Sequence, residues 1–288
     1  MSPTALVGVP FYTLAAYKGM GDAPGALRRA GLVSAMGGPA DVGDVELPRL
    51  RKDAVEGLAR NLTHFKASSA RIYQATRSMR ADRAFVIGGE CSLTPGSLAG
   101  LSEVFGGRPG MLWMDAHGDF NTPETSLSGY IGGMCLAMAC GRGPTLGEEI
   151  EKHRPLLAEE RLVHLGSRAL DPPEVVAFNS SPAKLFTSQQ VKKVGAAEVA
   201  EEAARHLANR SDWIVCHLDV DVVDPAWIPA VNYPTPGGLT IDETTMIVTT
   251  LLKTEKMKVL ELASYNASKD KGGSSARTVV NLIRKVFS

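Results

Sequence analysis

Met111-Leu112-Trp113-Met114-Asp115-Ala116-His117-Gly118-Asp119 runs from four consecutive apolar residues straight into three potential metal ligands. An unbroken apolar run of this kind does not suit a half-exposed strand; it suits one covered on both faces. Along an extended strand end alternate side chains point the same way, so Asp115, His117 and Asp119 can converge on one point. Two carboxylates flanking an imidazole form a hard-to-borderline donor set suited to Mn, Co, Ni or Zn. Taken alone, the same pentapeptide also reads as a polar turn with capping aspartates.

Working outward, the construction recurs. His217-Leu218-Asp219-Val220-Asp221 ends the apolar run Trp213–Leu218 and places Asp219 and Asp221 on one side of the strand. His217 lies deeper and reads as a core or supporting residue. Two neighbouring carboxylates at the end of a buried strand are costly unless a cation or hydrogen bonds compensate. Gly88-Gly89-Glu90-Cys91-Ser92 follows the run Ala84–Ile87 as a glycine turn entering a helix, with Cys91 either chemical or a small packed residue. Further runs at Ala5–Val9, Leu162–Leu165 and Val259–Leu262 alternate with segments of three-to-four apolar spacing at 50–65, 67–79, 196–208 and 242–252. Thr240, Asp242 and Glu243 carry helix-start chemistry for the last of these. The alternation predicts a parallel α/β sheet with helices on both faces. Gly, Pro and Asn gather just after the strands, at 88–89, 118–123 and 224–238, where open α/β sheets bind ligands.

The chain has 288 residues, with 31 Lys plus Arg against 31 Asp plus Glu. That balance argues against a nucleic-acid binder and against a polybasic membrane anchor. No apolar run approaches the roughly 18 residues of a membrane span, and the stretch from Met1 to Tyr12 lacks the pattern of a secretory leader. Cys91, Cys135, Cys140 and Cys216 are too scattered for a disulfide framework, so a reduced, cytoplasmic protein is expected. There is no repeat, low-complexity tract or linker, and the expectation is one catalytic domain over 1–288.

Together the motifs resemble the ureohydrolase superfamily of arginases, agmatinases and formiminoglutamases. That family is marked by G-G-D-H-S, D-A-H-x-D-x-N-x-P, S-G-N-x-H-G-M and D-x-D-x-x-D-P segments. They are matched here at Gly88–Ser92, Asp115–Pro123, Ser128–Met134 and Asp219–Pro225, with Pro234–Thr240 and Val7–Phe11 also similar. The resemblance implies a three-layer α/β/α fold with a mainly parallel eight-stranded sheet, and assembly as a trimer or hexamer. It implies two divalent cations, manganese first among them. Asp115 and Asp219 would bridge these, with Cys91 and Asp119 on one and His117 and Asp221 on the other. It further implies that Asp119 shuttles a proton. Asn121 and Ser128 would bind the α-carboxylate of an amino-acid substrate, and Asp171 its α-amino group. Capping and turn formation are the competing roles for these last three.

Three departures bear on the chemistry. Cys91 stands where the family has histidine, and its softer thiolate suits Zn, Fe, Co or Ni better than Mn, or leaves a single ion. Gly132 stands where arginases carry a proton-shuttling histidine, and Tyr130 replaces an asparagine that recognises the substrate. Ser264 stands where a glutamate pairs with the substrate guanidinium, which weakens the case for plain arginine. Cys91 and the altered Ser128–Met134 segment resemble the branch containing Nω-hydroxy-L-arginine amidinohydrolase, although that enzyme keeps the glutamate. The expected reaction is therefore hydrolysis of a C–N bond in a guanidino or N-hydroxyguanidino amino acid. The competing readings are a single-metal amide hydrolase of the deacetylase type and a catalytically retired scaffold.

Overall fold

The structure, a computed structural model, describes residues 4–50 and 52–288. Met1–Pro3, within the stretch read for a leader, and Arg51, within the expected helix 50–65, lie outside the described residues.

The apolar runs form strands β1 (Thr4–Val9), β3 (Arg83–Gly88), β4 (Pro109–Met114), β5 (Leu162–Ser167), β7 (Trp213–Asp219) and β8 (Met257–Ala263). Two edge strands, β2 (Ala40–Asp44) and β6 (Lys184–Thr187), complete an eight-stranded sheet in the order β2-β1-β3-β8-β7-β4-β5-β6. Every pairing in it is parallel. The edges escaped the sequence reading for a physical reason. β2 is Ala-Asp-Val-Gly-Asp and exposed throughout, so it carries no buried apolar face to recognise.

The longer helices are α1 (Leu62–Arg77), α2 (Thr94–Phe105), α3 (Pro172–Ser180), α4 (Ala196–Arg210), α5 (Ile241–Leu252) and α6 (Ser274–Phe287). They cover both faces of the sheet, which makes the expected three-layer α/β/α arrangement. Alternate strand residues feed opposite layers: Met111 and Trp113 join the core under α1 and α2, while Leu112 and Met114 join the core under α4, α5 and α6. α4 buries Val199, Ala200, Ala203, Ala204 and Leu207, one stripe of a 3.6-residue repeat. At α5 the Thr240 hydroxyl accepts from the Glu243 amide at 3.1 Å, and the Glu243 carboxylate accepts from the Thr240 amide at 2.7 Å. That reciprocal cap fulfils the start signal in the sequence.

One expectation is corrected. Among the described residues, 50 and 52–61 are not helical, and 62–65 join 66–77 in a single helix, α1. Before it, Val55–Glu56 and Ala59–Arg60 pair as a short antiparallel hairpin around Gly57, whose φ is +65°. Asn61 is also left-handed and locks the junction, its side-chain amide donating to the Thr13 carbonyl at 2.6 Å and accepting from the Ala54 amide at 2.6 Å. Val55 and Leu58, which supplied the helical spacing, are exposed.

Candidate metal centre

Four strands that are neighbours in the sheet, β3-β8-β7-β4, deliver their C-terminal ends to one cavity of about 320 Å³. All eleven residues singled out from the sequence line it: Cys91, Asp115, His117, Asp119, Asn121, Ser128, Tyr130, Asp171, Asp219, Asp221 and Ser264. The glycine turn after β3 explains how Cys91 reaches it. A side chain at Gly89 would place Cβ 1.8 Å from the Phe11 carbonyl oxygen, so only glycine permits this approach of two backbones.

The ligand atoms fall into two groups that share Asp115. Cys91, Asp115 and Asp219 form one, and Asp115, His117 and Asp221 the other, with the donor atoms of each group within 4.8 Å of one another. Backbone amides hold each carboxylate by one oxygen: His117 N donates to Asp115 Oδ1 at 2.7 Å, Asp221 N to Asp219 Oδ1 at 2.8 Å, and Ala116 N to Asp221 Oδ1 at 3.1 Å. The other oxygens turn inward. Asp219 Oδ2 lies 2.8 Å from Cys91 Sγ, and Asp221 Oδ2 lies 3.1 Å from His117 Nδ1.

Asp119 and Asp219, the further ligand and the second bridge that the resemblance implies, line the same cavity, with Asp219 in the Cys91 group. Asp119 adopts φ +49°, and its carbonyl accepts from the amides of Leu136 and Ala137, both at 3.1 Å. This turn breaks the alternation begun at Asp115 and sets the Asp119 carboxylate on the cavity wall, 3.5 Å from Cys135 Sγ. Ser264, also left-handed at φ +67°, brings its hydroxyl 3.4 Å from Cys91 Sγ.

Buried acidic groups crowd the site, with His117 the one basic side chain among the two groups. Burial, reinforced by the charges of Asp219 and Asp115, pushes the Cys91 thiol well up. Burial also raises Asp119 and Asp219 well above the usual carboxylate range, helped in each case by neighbouring aspartates. Burial of His117 would depress its pKa, yet Asp221 and Asp115 push it up to about 12. A donor set of carboxylates, thiol and imidazole with so little positive charge among them fits divalent cations.

The substrate-facing residues occupy the outer wall. The Asn121 side-chain amide donates to Asp171 Oδ2 at 2.9 Å, and Ser128 is exposed at the rim. At the start of α3 the Glu174 carboxylate accepts from the Asp171 amide at 2.9 Å, while the Asp171 carboxylate faces Asn121. The Tyr130 hydroxyl donates to Glu90 Oε2 at 2.6 Å. The cavity also includes Glu90, Glu174 and Tyr233, which the sequence reading did not single out. Glu90 had a signal in its place between Gly89 and Cys91; Tyr233 had none, since its loop position is set only by tertiary folding.

The Arginase family model matches residues 2–288 of this chain. The arginase of Bacillus subtilis (strain 168) is 31% identical over 289 residues, which span 98% of this chain and 97% of that protein. The native structure of the arginase from Bacillus caldovelox superimposes with a TM-score of 0.90 at 30% identity, over 100% of this chain and 99% of that one. The structure of Entamoeba histolytica arginase in complex with L-ornithine superimposes with a TM-score of 0.91 at 25% identity, covering 99% and 98% of the two chains. These matches, with an eight-stranded parallel sheet and Asp and His side chains clustered at its C-terminal edge, make the chain a hydrolase of the ureohydrolase superfamily. Within it, the chain belongs to the Arginase family, enzymes that hydrolyse C–N bonds of linear amidines.

Proposed function

We propose that this single-domain hydrolase cleaves the C–N bond of a guanidino or N-hydroxyguanidino amino acid with the help of two divalent cations. The observation that carries the reading is the pair of three-ligand groups sharing Asp115 at the floor of the cavity. Cys91, Asp115, Asp119 and Asp219 would hold one ion, and Asp115, His117, Asp219 and Asp221 the other. Two divalent cations there supply the positive charge that acidifies water into a nucleophile near neutral pH, and manganese is the first candidate for the His117 position.

The chain's own residues do the rest. Asp119, on the wall of the same cavity, would take a proton as carboxylate and return it to the leaving nitrogen. Asp171, oriented by the Asn121 amide, accepts from a substrate ammonium, and Ser128 and Asn121 donate to its carboxylate. Beside Cys91 the neutral Ser264 hydroxyl stands where the resemblance places a glutamate that pairs with the substrate. A strongly basic guanidinium would be left without a charged partner there, whereas a less basic N-hydroxyguanidine loses less. This favours Nω-hydroxy-L-arginine over arginine. The assembly implied by the resemblance, a cytoplasmic trimer or hexamer, belongs to the same proposal and is read by light scattering.

The test combines metal analysis with product assays over arginine, Nω-hydroxyarginine, agmatine and formiminoglutamate. Two equivalents of metal and hydroxyurea with ornithine as products are expected. Protein free of metal after growth with Mn, Zn and Co would refute the metal reading. Faster turnover of arginine than of its hydroxylated form would refute the substrate preference.

A further inference from the structure

Behind Cys91 lies a buried polar row that the proposed chemistry leaves unused. Glu261 on β8, His217 on β7 and Trp113 on β4 are register partners across three adjacent strands. His217 Nδ1 pairs with Glu261 Oε2 at 2.9 Å, and its Nε2 lies 3.2 Å from Cys91 Sγ. The Trp113 indole stacks on the imidazole at 3.7 Å with an interplanar angle of 4°, and its Nε1 donates to Asp115 Oδ2 at 3.2 Å. Glu261 also accepts from the hydroxyls of Thr94, at 2.8 Å, and of Ser97, both on α2. All three row residues are at most 1% exposed.

Such a row is expensive as mere filling. Met111, Val215 and Val259 lie in the same strands on the same face and pack there without any polar atom. A carboxylate and an imidazole buried beside them must instead be justified by what they hold. Held at Nδ1 by Glu261, the ring fixes Nε2 at 3.2 Å from the sulfur. Carboxylate-to-imidazole support of this kind commonly orients metal ligands. His217 is in neither three-ligand group, so here the support acts one atom further back, through Cys91. The stacked indole and imidazole thus hold Asp115 and Cys91 from one rigid platform.

We propose that Glu261 and His217, clamped by Trp113, are positioning residues that aim the Cys91 sulfur at the position shared with Asp115 and Asp219, so that this position ligates through sulfur and prefers a thiophilic divalent cation such as Zn or Co over Mn. The inference rests on the two-cation reading above. The preference follows from ligand softness.

The experiment titrates metal-stripped full-length protein with Co(II), following bound equivalents and the near-ultraviolet sulfur-to-cobalt charge-transfer band, with Cys91→Ser as the control that removes the band. The wild type should bind two equivalents and show the band. His217→Phe should shift or abolish it and weaken the sulfur-bearing position about 10–100-fold. Glu261→Gln, which keeps both hydroxyl partners, should move both readouts the same way and serves if the phenylalanine variant does not fold. A purely structural role would lower stability yet leave the band of the folded protein unchanged. Two equivalents without a sulfur band, or variants with unchanged band and affinity, overturn the positioning role and leave the two-cation hydrolase standing. One equivalent that carries the band upholds the positioning role and refutes the two-cation reading. No bound cobalt refutes both.

Discussion

Gly132→Ala tests whether Tyr130 has taken over the space of the side chain missing at position 132. A Cβ there would stand 2.3 Å from Tyr130 Cζ and 2.5 Å from its Cε1 and hydroxyl oxygen, where ordinary contact begins at 3.4 Å. Gly132 is not among the left-handed glycines, so alanine fits its backbone and the ring must yield. Moving the ring breaks the 2.6 Å hydrogen bond from the Tyr130 hydroxyl to Glu90, a carboxylate only 1% exposed. A hydrogen bond to a charged group contributes about 1.5–3 kcal/mol. Restricting the unfolded chain by Gly→Ala returns about 0.4–1 kcal/mol. The net expectation is a loss of about 1–2 kcal/mol, read as a lower urea midpoint at unchanged slope. In a Tyr130→Ala background the new methyl meets no ring, and the same change becomes neutral or mildly stabilising. The double-mutant cycle should therefore show a coupling of about 1.5–3 kcal/mol, the hydrogen bond that Gly132→Ala breaks only where Tyr130 is present. Gly132→Ala within 0.5 kcal/mol of wild type, and additive with Tyr130→Ala, would show that Tyr130 does not occupy that space in solution.

Asp119→Asn should lower kcat by about 10²–10⁴ and weaken metal binding at the Cys91 position. Metal content at the wild-type level in this variant would instead confine Asp119 to proton transfer. In the metal-free protein Asp221 and Asp115 hold His117 protonated up to about pH 12, although burial opposes it. Metal binding at neutral pH should therefore release protons, and affinity should fall as pH falls because protons compete for the same groups. Calorimetry in buffers of different ionisation enthalpy reads the number released, and zero would contradict the ligand role of His117. Arg168→Lys should destabilise the protein by about 2 kcal/mol or more. The guanidinium reaches the Thr235 carbonyl at 2.8 and 2.9 Å and the Asp221 carbonyl at 2.7 Å, a fork that an ammonium does not reproduce. Unchanged thermal stability would mean that the 234–238 loop is held by other contacts.

The central strands and the chemistry at their ends were legible in the sequence because each signal is local. An apolar run buried on both faces looks the same in any context, and the Asp115–Asp119 and Asp219–Asp221 motifs sit directly on such runs. The expected helix at 50–65 failed for the converse reason. Spacing of Leu50, Val55, Leu58 and Leu62 imitates an amphipathic stripe, yet Gly57 and Asn61 at positive φ turn the chain and leave Val55 and Leu58 exposed.

By itself, then, the sequence determined the parallel α/β class, the strand ends that carry the ligands, and the substitutions at Cys91, Gly132 and Ser264. Only the tertiary structure decided how these act on one another. Strand order β3-β8-β7-β4 brings together Cys91, Ser264, Asp219 and Asp115, which are separated by up to 173 residues along the chain. The positive φ at Asp119 breaks the strand alternation and sets its carboxylate on the cavity wall beside Cys135. Register across β4, β7 and β8 sets Trp113, His217 and Glu261 side by side behind Cys91. Alternation along one strand tells which face a residue points to; which residue of another strand lies beside it is decided by pairing and packing of the whole sheet.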